Sequence, residues 1–236
     1  WQSLTAEATE VSVRNGDFSN GTTGWTVNGT AGTGNGVAEF FALRAVDYSV
    51  SLTQTVRNLE TGYYLVKCQA FERNGDNDGS GRDYTEGVER LNYQFFAEDL
   101  SVPVRSLYAL PYDGDNSLNG FANGTASASA LFSADEENYA NYLLVYVEDG
   151  RLQFGLRRPV STVTSSDWCC FDNFQVFTFD DFTSVTDARA EAEKGNRPVY
   201  DVGGVLCGQT DAEGKLPVRL KAGVYIVDGH KIVKAE

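Results

Sequence analysis

The sequence predicts an all-β protein: a jelly-roll β-sandwich over residues 1–182, then a short helix and a small C-terminal β unit over residues 183–236. Three observations predict it. Aromatic residues make up 12% of the 236 residues, with 24 Gly and only 5 Pro, and Val, Thr, Tyr and Phe recur in short runs suited to half-buried strands. About ten such runs, separated by turn residues, fill the first unit, which favours a sandwich or jelly roll over βα alternation. The composition then changes near residue 183, where a helical pattern marks a joint.

Taken in order, residues 10–14 read as a first strand. Gly16 to Gly36 read as a long Gly-rich loop interrupted by Trp25-Thr-Val27. Runs at 37–46 and 50–56 follow, and then 62–71, where Tyr64, Val66, Cys68 and Ala70 share one face and form the candidate core face. Residues 74–82, NGDNDGSGR, contain no apolar residue and read as a solvated loop. Further strands are expected at 91–96, 102–107, 142–147, 152–157 and 168–177. Asp149-Gly150 and Asp228-Gly229 stand between apolar runs, a hairpin signal. Two helices are expected: a short turn from Ser133, with Glu136 at capping-box spacing, and a second from Ser184 closed by Lys194 and Gly195. The run Ala126 to Ala130 reads as a small-residue strand or loop. Residues 197–236 carry a separate β pattern, a length that rarely folds alone.

Charge and cysteine usage narrow the chemistry. Lys and Arg total 19 against 33 Asp and Glu, a net charge of −14. Such a surface repels phosphate backbones, which argues against nucleic acid as a partner, and disfavours acidic glycans unless a local basic pocket overrides it. No apolar stretch approaches the roughly 18 residues that span a bilayer, so membrane insertion is not expected. The absence of methionine leads to the expectation that an initiator was removed. Cys68, Cys169, Cys170 and Cys207 lack zinc spacing, and the only histidine is His230. Adjacent Cys169 and Cys170 point to opposite strand faces; both disulfides and free buried thiols remain open.

Two segments carry a family resemblance: Asn15-Gly-Asp17-Phe18-Ser19, leading through a Gly-rich turn to Trp25, and Asp167-Trp168-Cys-Cys-Phe171-Asp172-Asn173-Phe174-Gln-Val176. Over roughly residues 10–180 the chain resembles the galactose-binding-like jelly rolls used as carbohydrate-binding modules, particularly copies in surface proteins of gut Bacteroidetes. Lys221-Ala-Gly223-Val-Tyr225-Ile-Val-Asp-Gly229-His-Lys231-Ile-Val-Lys234 resembles the C-terminal sorting domain of Bacteroidetes secreted proteins. Together the resemblances imply a secreted or cell-surface protein of a Gram-negative bacterium that binds a glycan, on a polysaccharide or a glycoprotein. They also imply that the last-strand acid, Asp172, helps hold a structural calcium with an acid after the first-strand Phe; that position here is Ser19. The other reading of Asp172 is a buried carboxylate accepting backbone N–H bonds. Beyond that calcium no cofactor is expected.

For ligand contacts, aromatics and cations in polar loops are the stronger candidates, because burial does not account for them: Arg82, Tyr84, Tyr112 and Asp113. Trp25 and Trp168 are expected to fill the core. The Asp-rich segment from Asn74 copies the opening of a calcium-binding loop but has Thr85 where the closing Glu belongs, so a turn is the preferred reading. Asn-Gly-Thr at Asn20, Asn28 and Asn123 reads as turns rather than glycosylation acceptors. No G-x-S-x-G, H-E-x-x-H, phosphate loop or dinucleotide fingerprint is present, and His230 is far in sequence from any nucleophile. A non-catalytic binding protein is therefore expected. The alternative is a structural or adhesive surface protein that contacts other proteins.

Overall fold

A computed structural model describes residues 8–42, 46–47, 49–159, 162–179, 197–201, 205–211, 215–217, 219–227 and 230–234. The chain divides into two compact units, Trp1–Phe179 and Asp180–Glu236. In unit 1 the strands are β1 (Thr9–Val11), β2 (Thr26–Asn28), β3 (Gly32–Gly34), β4 (Val37–Phe41), β5 (Val46–Asp47), β6 (Val50–Arg57) and β7 (Gly62–Arg73). Helix α1 (Asn77–Glu86) follows, then β8 (Gln94–Ala97), β9 (Leu100–Pro103), β10 (Arg105–Ser106), β11 (Ser117–Leu118) and β12 (Phe121–Ala122). Helix α2 (Thr125–Ala134) precedes β13 (Ala140–Val147), β14 (Arg151–Arg158), β15 (Thr162–Val163) and β16 (Trp168–Thr178).

Twelve of these strands form a two-sheet β-sandwich, while β11 pairs with β12 and β5 with β15 in separate ribbons. The first sheet runs β10-β7-β16-β4-β3, with β13 also on β7 and β1 on β16; the second runs β2-β6-β14-β8-β9. Period-2 alternation aims Tyr64, Val66, Cys68 and Ala70 of β7 inward, against Leu52 of β6, Phe95 of β8 and Leu152, Phe154 and Leu156 of β14. At about 25 cal/mol per Å², each such fully buried side chain contributes roughly 1.5–3 kcal/mol. A second core lies on the opposite face of the first sheet. There Phe71, Trp168, Cys170 and Val37 are covered by Ala128, Leu131 and Phe132 of α2 and by Leu107 and Tyr108. Cys169 and Cys170 therefore enter different cores, and no cysteine is bridged: Cys68, Cys169 and Cys170 are buried thiols, Cys207 a half-buried one.

Several local expectations are corrected. Residues 77–86 are helical despite two glycines, because Asp76 caps Gly79 N–H at 2.7 Å and Gly87 closes the helix in the left-handed region at φ 70°. Gly81 lets the Tyr108 ring approach: a Cβ there would stand 3.3 Å from it. The small-residue run at 126–130 is the body of α2, and Ser133 lies near its end rather than at the start of a helix. Asp149-Gly150 does not close a hairpin. β13 pairs with β7 and β14 with β6 and β8, so the turn carries the chain from one sheet to the other. The expected strand at 37–46 stops at Phe41.

Unit 2 holds a four-stranded sheet, β18-β17-β19-β20, made of β17 (Pro198–Asp201), β18 (Leu206–Gln209), β19 (Gly223–Val227) and β20 (His230–Lys234). Its small core is Val199, Tyr225 and Val227. β19 and β20 pair antiparallel with Val227 opposite His230. The expected helix from Ser184 to Gly195 and the Asp228-Gly229 turn lie outside the described residues.

Candidate functional site

The two segments singled out in the sequence meet. β16 bulges between Asp172 and Gln175, with Asn173 at φ 52°, and the bulge docks on the loop after β1: Phe174 N–H donates to Gly16 C=O at 2.9 Å. Gly16 is required there, since a Cβ would sit 2.3 Å from Phe174 O. Phe18, Trp25 and Phe174 pack as one aromatic cluster, with Trp25 and Phe174 centroids 4.7 Å apart. Asn15 fixes the turn, its Nδ2 donating to Gly21 O and Thr23 O while its carbonyl accepts from Trp25 Nε1.

Between this junction, the outer face of β7 and the C-terminal end of α2 lies a groove of about 680 Å³. Its apolar floor includes Phe132 and Phe174, each 2% exposed. Gln69 forms one wall and is saturated. Its Nε2 donates to Phe132, Asp135 and Asn138 carbonyls at 3.2, 3.0 and 2.9 Å, holding the end of α2, while its Oε1 accepts from Asn173 Nδ2 at 2.6 Å. Lys67 is likewise committed, at 3.1 Å to Glu137 and 3.8 Å to Glu136. The remaining polar wall is different: Glu10, Ser133 and Gln175 make no side-chain hydrogen bond among the described residues. A carboxylate, a hydroxyl and an amide thus face the groove with their donors and acceptors unspent.

Asp172 is 8% exposed and accepts Asn173 N–H at 2.7 Å, the backbone-bond reading of this carboxylate. Burial, with the Asp17 carboxylate nearby, pushes its pKa up to about 7. Ser19 donates to Asp17 through both N–H and hydroxyl. Calcium takes about six to eight oxygens, and among the described residues no group of three or more His, Cys, Asp and Glu gathers. The side chains at Asp172 thus offer a calcium two carboxylates at most.

No protein family and no curated protein matched the chain. Among solved structures it is similar to that of TmCBM61 in complex with beta-1,4-galactotriose, at 17% identity and a TM-score of 0.40, over 70% of this chain and 96% of that one.

The loop candidates stand elsewhere. Arg82 and Tyr84 project from α1, both exposed, with Tyr84 5.8 Å from the Tyr108 ring. Tyr112 is half-buried against the second core, its hydroxyl donating to Asp115 O; Asp113 is exposed beside it. Tyr112 thus packs on the second core and Tyr84 meets it only through the Tyr108 ring, but none of the four lines the groove. Trp25 and Trp168 are buried, at 8% and 2% exposure. Neither Gln175 nor Ser133 stands out as a groove residue in the sequence: an outward Gln175 in an alternating strand is ordinary, and the spacing of Ser133 to Glu136 reads as a helix start.

Proposed function

We propose that the protein binds glycans without catalysis, and that the groove of unit 1 receives the sugar. The observation that carries this reading is the set of unspent groups on Glu10, Ser133 and Gln175 above an apolar floor. An amide that both donates and accepts, a hydroxyl and a carboxylate suit vicinal sugar hydroxyls. The groove's acids, Glu10, Asp17 and Glu136, outnumber its one cation, Lys67, which is already paired. Neutral glycans fit it better than acidic ones.

The four loop residues remain a second reading, favoured by the exposure of Tyr84 at 42% in a side chain that also packs on Tyr108. We further propose a secreted or cell-surface address in a Gram-negative bacterium, with unit 2 as a sorting-type module, on the Lys221–Lys234 pattern. The alternative of a protein-binding surface predicts contact through exposed apolar side chains such as Phe41 and Val88.

A glycan array, run with and without calcium, tests the reading. Loss of a saturable hit in the Ser133→Ala/Gln175→Ala double variant supports the groove. Loss in Arg82→Ala/Tyr84→Ala moves the site to α1, and silence in every condition overturns glycan binding.

A further inference from the structure

The sheet of unit 2 ends on β18, which has a partner strand, β17, on one side only. Thr210 donates its N–H to Arg197 O at 2.9 Å, and Gly208 stands opposite Val199. By antiparallel alternation the N–H and C=O of Gln209, between them, point away from β17. Gln209 is exposed and makes no backbone bond outside the sheet among the described residues. Leu206, Cys207, Gly208 and Gln209 include no charged side chain, the usual deterrent to edge pairing. Directly at this edge stand the two most exposed large apolar side chains among the described residues, Val205 at 62% and Leu206 at 59%. An uncharged edge with exposed apolar side chains is a template for a further strand.

Beside the edge lies a groove of about 580 Å³, lined by Leu206, Gly208 and Gln209 of β18 and by Lys215, Pro217 and Arg219. Its second wall is held in place, because Lys234 Nζ donates to Pro217 O at 2.9 Å and to Leu220 O at 2.7 Å. Gly208 lets that wall come close: Pro217 Cγ and Arg219 Nη2 stand 3.3 and 3.5 Å from where its Cβ would be. Lys215 and Arg219 are exposed and form no ion pair among the described residues. Residues 197–236 hold six Lys and Arg against five Asp and Glu, so this segment does not share the acidity of the whole chain.

We propose that β18 and its groove bind an extended acidic peptide segment of another protein, which adds to the sheet as a further strand. Main-chain bonds to the Gln209 edge hold the peptide, its apolar side chains cover Val205 and Leu206, and its carboxylates meet Lys215 and Arg219. A second copy of β18 would bring the same two cations instead of acids, which makes it the poorer occupant. The site belongs to unit 2 alone and stands whether or not the groove of unit 1 takes sugar.

The test is fluorescence anisotropy of labelled synthetic peptides titrated with the full chain. One peptide alternates Glu and Val, a second alternates Lys and Val, and a third is the Glu/Val peptide with alternate backbone nitrogens methylated. Saturable binding of the first alone is expected. Lys215→Glu/Arg219→Glu weakens it roughly tenfold or more, since like charges then face each other. Gln209→Pro removes the outward N–H without breaking a ladder bond, as proline is tolerated on the open side of an edge strand, and abolishes binding at unchanged Tm. The charge variant alters exposed side chains only, so it decides the matter even where Gln209→Pro unsettles unit 2. No saturable binding of the Glu/Val peptide, equal binding of either control peptide, or binding undiminished in the charge variant overturns the proposal. A concentration-dependent dimer that is lost in Gln209→Pro, in place of peptide binding, overturns it in favour of self-pairing.

Discussion

Phe174 donates its backbone N–H to Gly16 at 2.9 Å, closing a contact between residues 158 positions apart and building one wall of the groove. Gly16→Ala therefore strikes the junction itself, because its Cβ would overlap Phe174 O at 2.3 Å. A loss of about 2–3 kcal/mol is expected from such backbone overpacking. Urea unfolding reads it as a lower midpoint at unchanged slope.

Gln69→Leu leaves three carbonyls at the end of α2 without their shared donor. A destabilisation of about 2–4 kcal/mol is expected. Hydrogen exchange separates this from general loosening: amides of α2 and residues 135–138 lose protection before those of β14 do.

How much of this was legible beforehand differs by layer. The inward face of β7 was, because Tyr64, Val66, Cys68 and Ala70 alternate strictly with their neighbours. Its outer face was not: Lys67 and Gln69 look like solvent positions, but they are buried, Gln69 bonded to the end of α2 and to residues 135 and 138, Lys67 paired with Glu137, and the Ser and Ala residues of α2 carry little amphipathic signal. Helix α1 was hidden by its glycines, since Gly81 is there for the Tyr108 ring rather than for a turn. The Asp-Gly between β13 and β14 reads identically whether the chain pairs back or switches sheets, and only the register on β7 and β6 decides. The groove draws Glu10, Ser133 and Gln175 from three distant segments, which no local pattern brings together.

Stability should fall as pH rises. Burial raises both Asp172, to about 7, and Glu72, well above the usual carboxylate range, with Asp167 and Glu89 adding to the latter against N–H bonds from Asn92 and Tyr93. The folded state then holds protons that the unfolded chain releases. This contribution is full below the unfolded value of 3.8 for Asp172 and is lost as pH climbs through about 7. For Asp172 it is bounded at about 4 kcal/mol. Thermal unfolding between pH 5 and pH 8 should show a falling Tm, and Asp172→Asn should flatten the slope.

Thiol reactivity checks the two-core architecture. In native protein, Cys207 reacts with a thiol reagent while Cys68, Cys169 and Cys170 stay silent until unfolding, burial holding all three thiols protonated. Added reductant should leave Tm unchanged, since no bridge contributes to stability.

The measurement that bears most directly on glycan binding in the groove is the array comparison of the wild-type chain with Ser133→Ala/Gln175→Ala. The account predicts saturable binding to a neutral glycan, weakened roughly tenfold or more when two unspent polar partners are removed. Binding that survives the double variant intact, or no binding to any glycan with or without calcium, contradicts it.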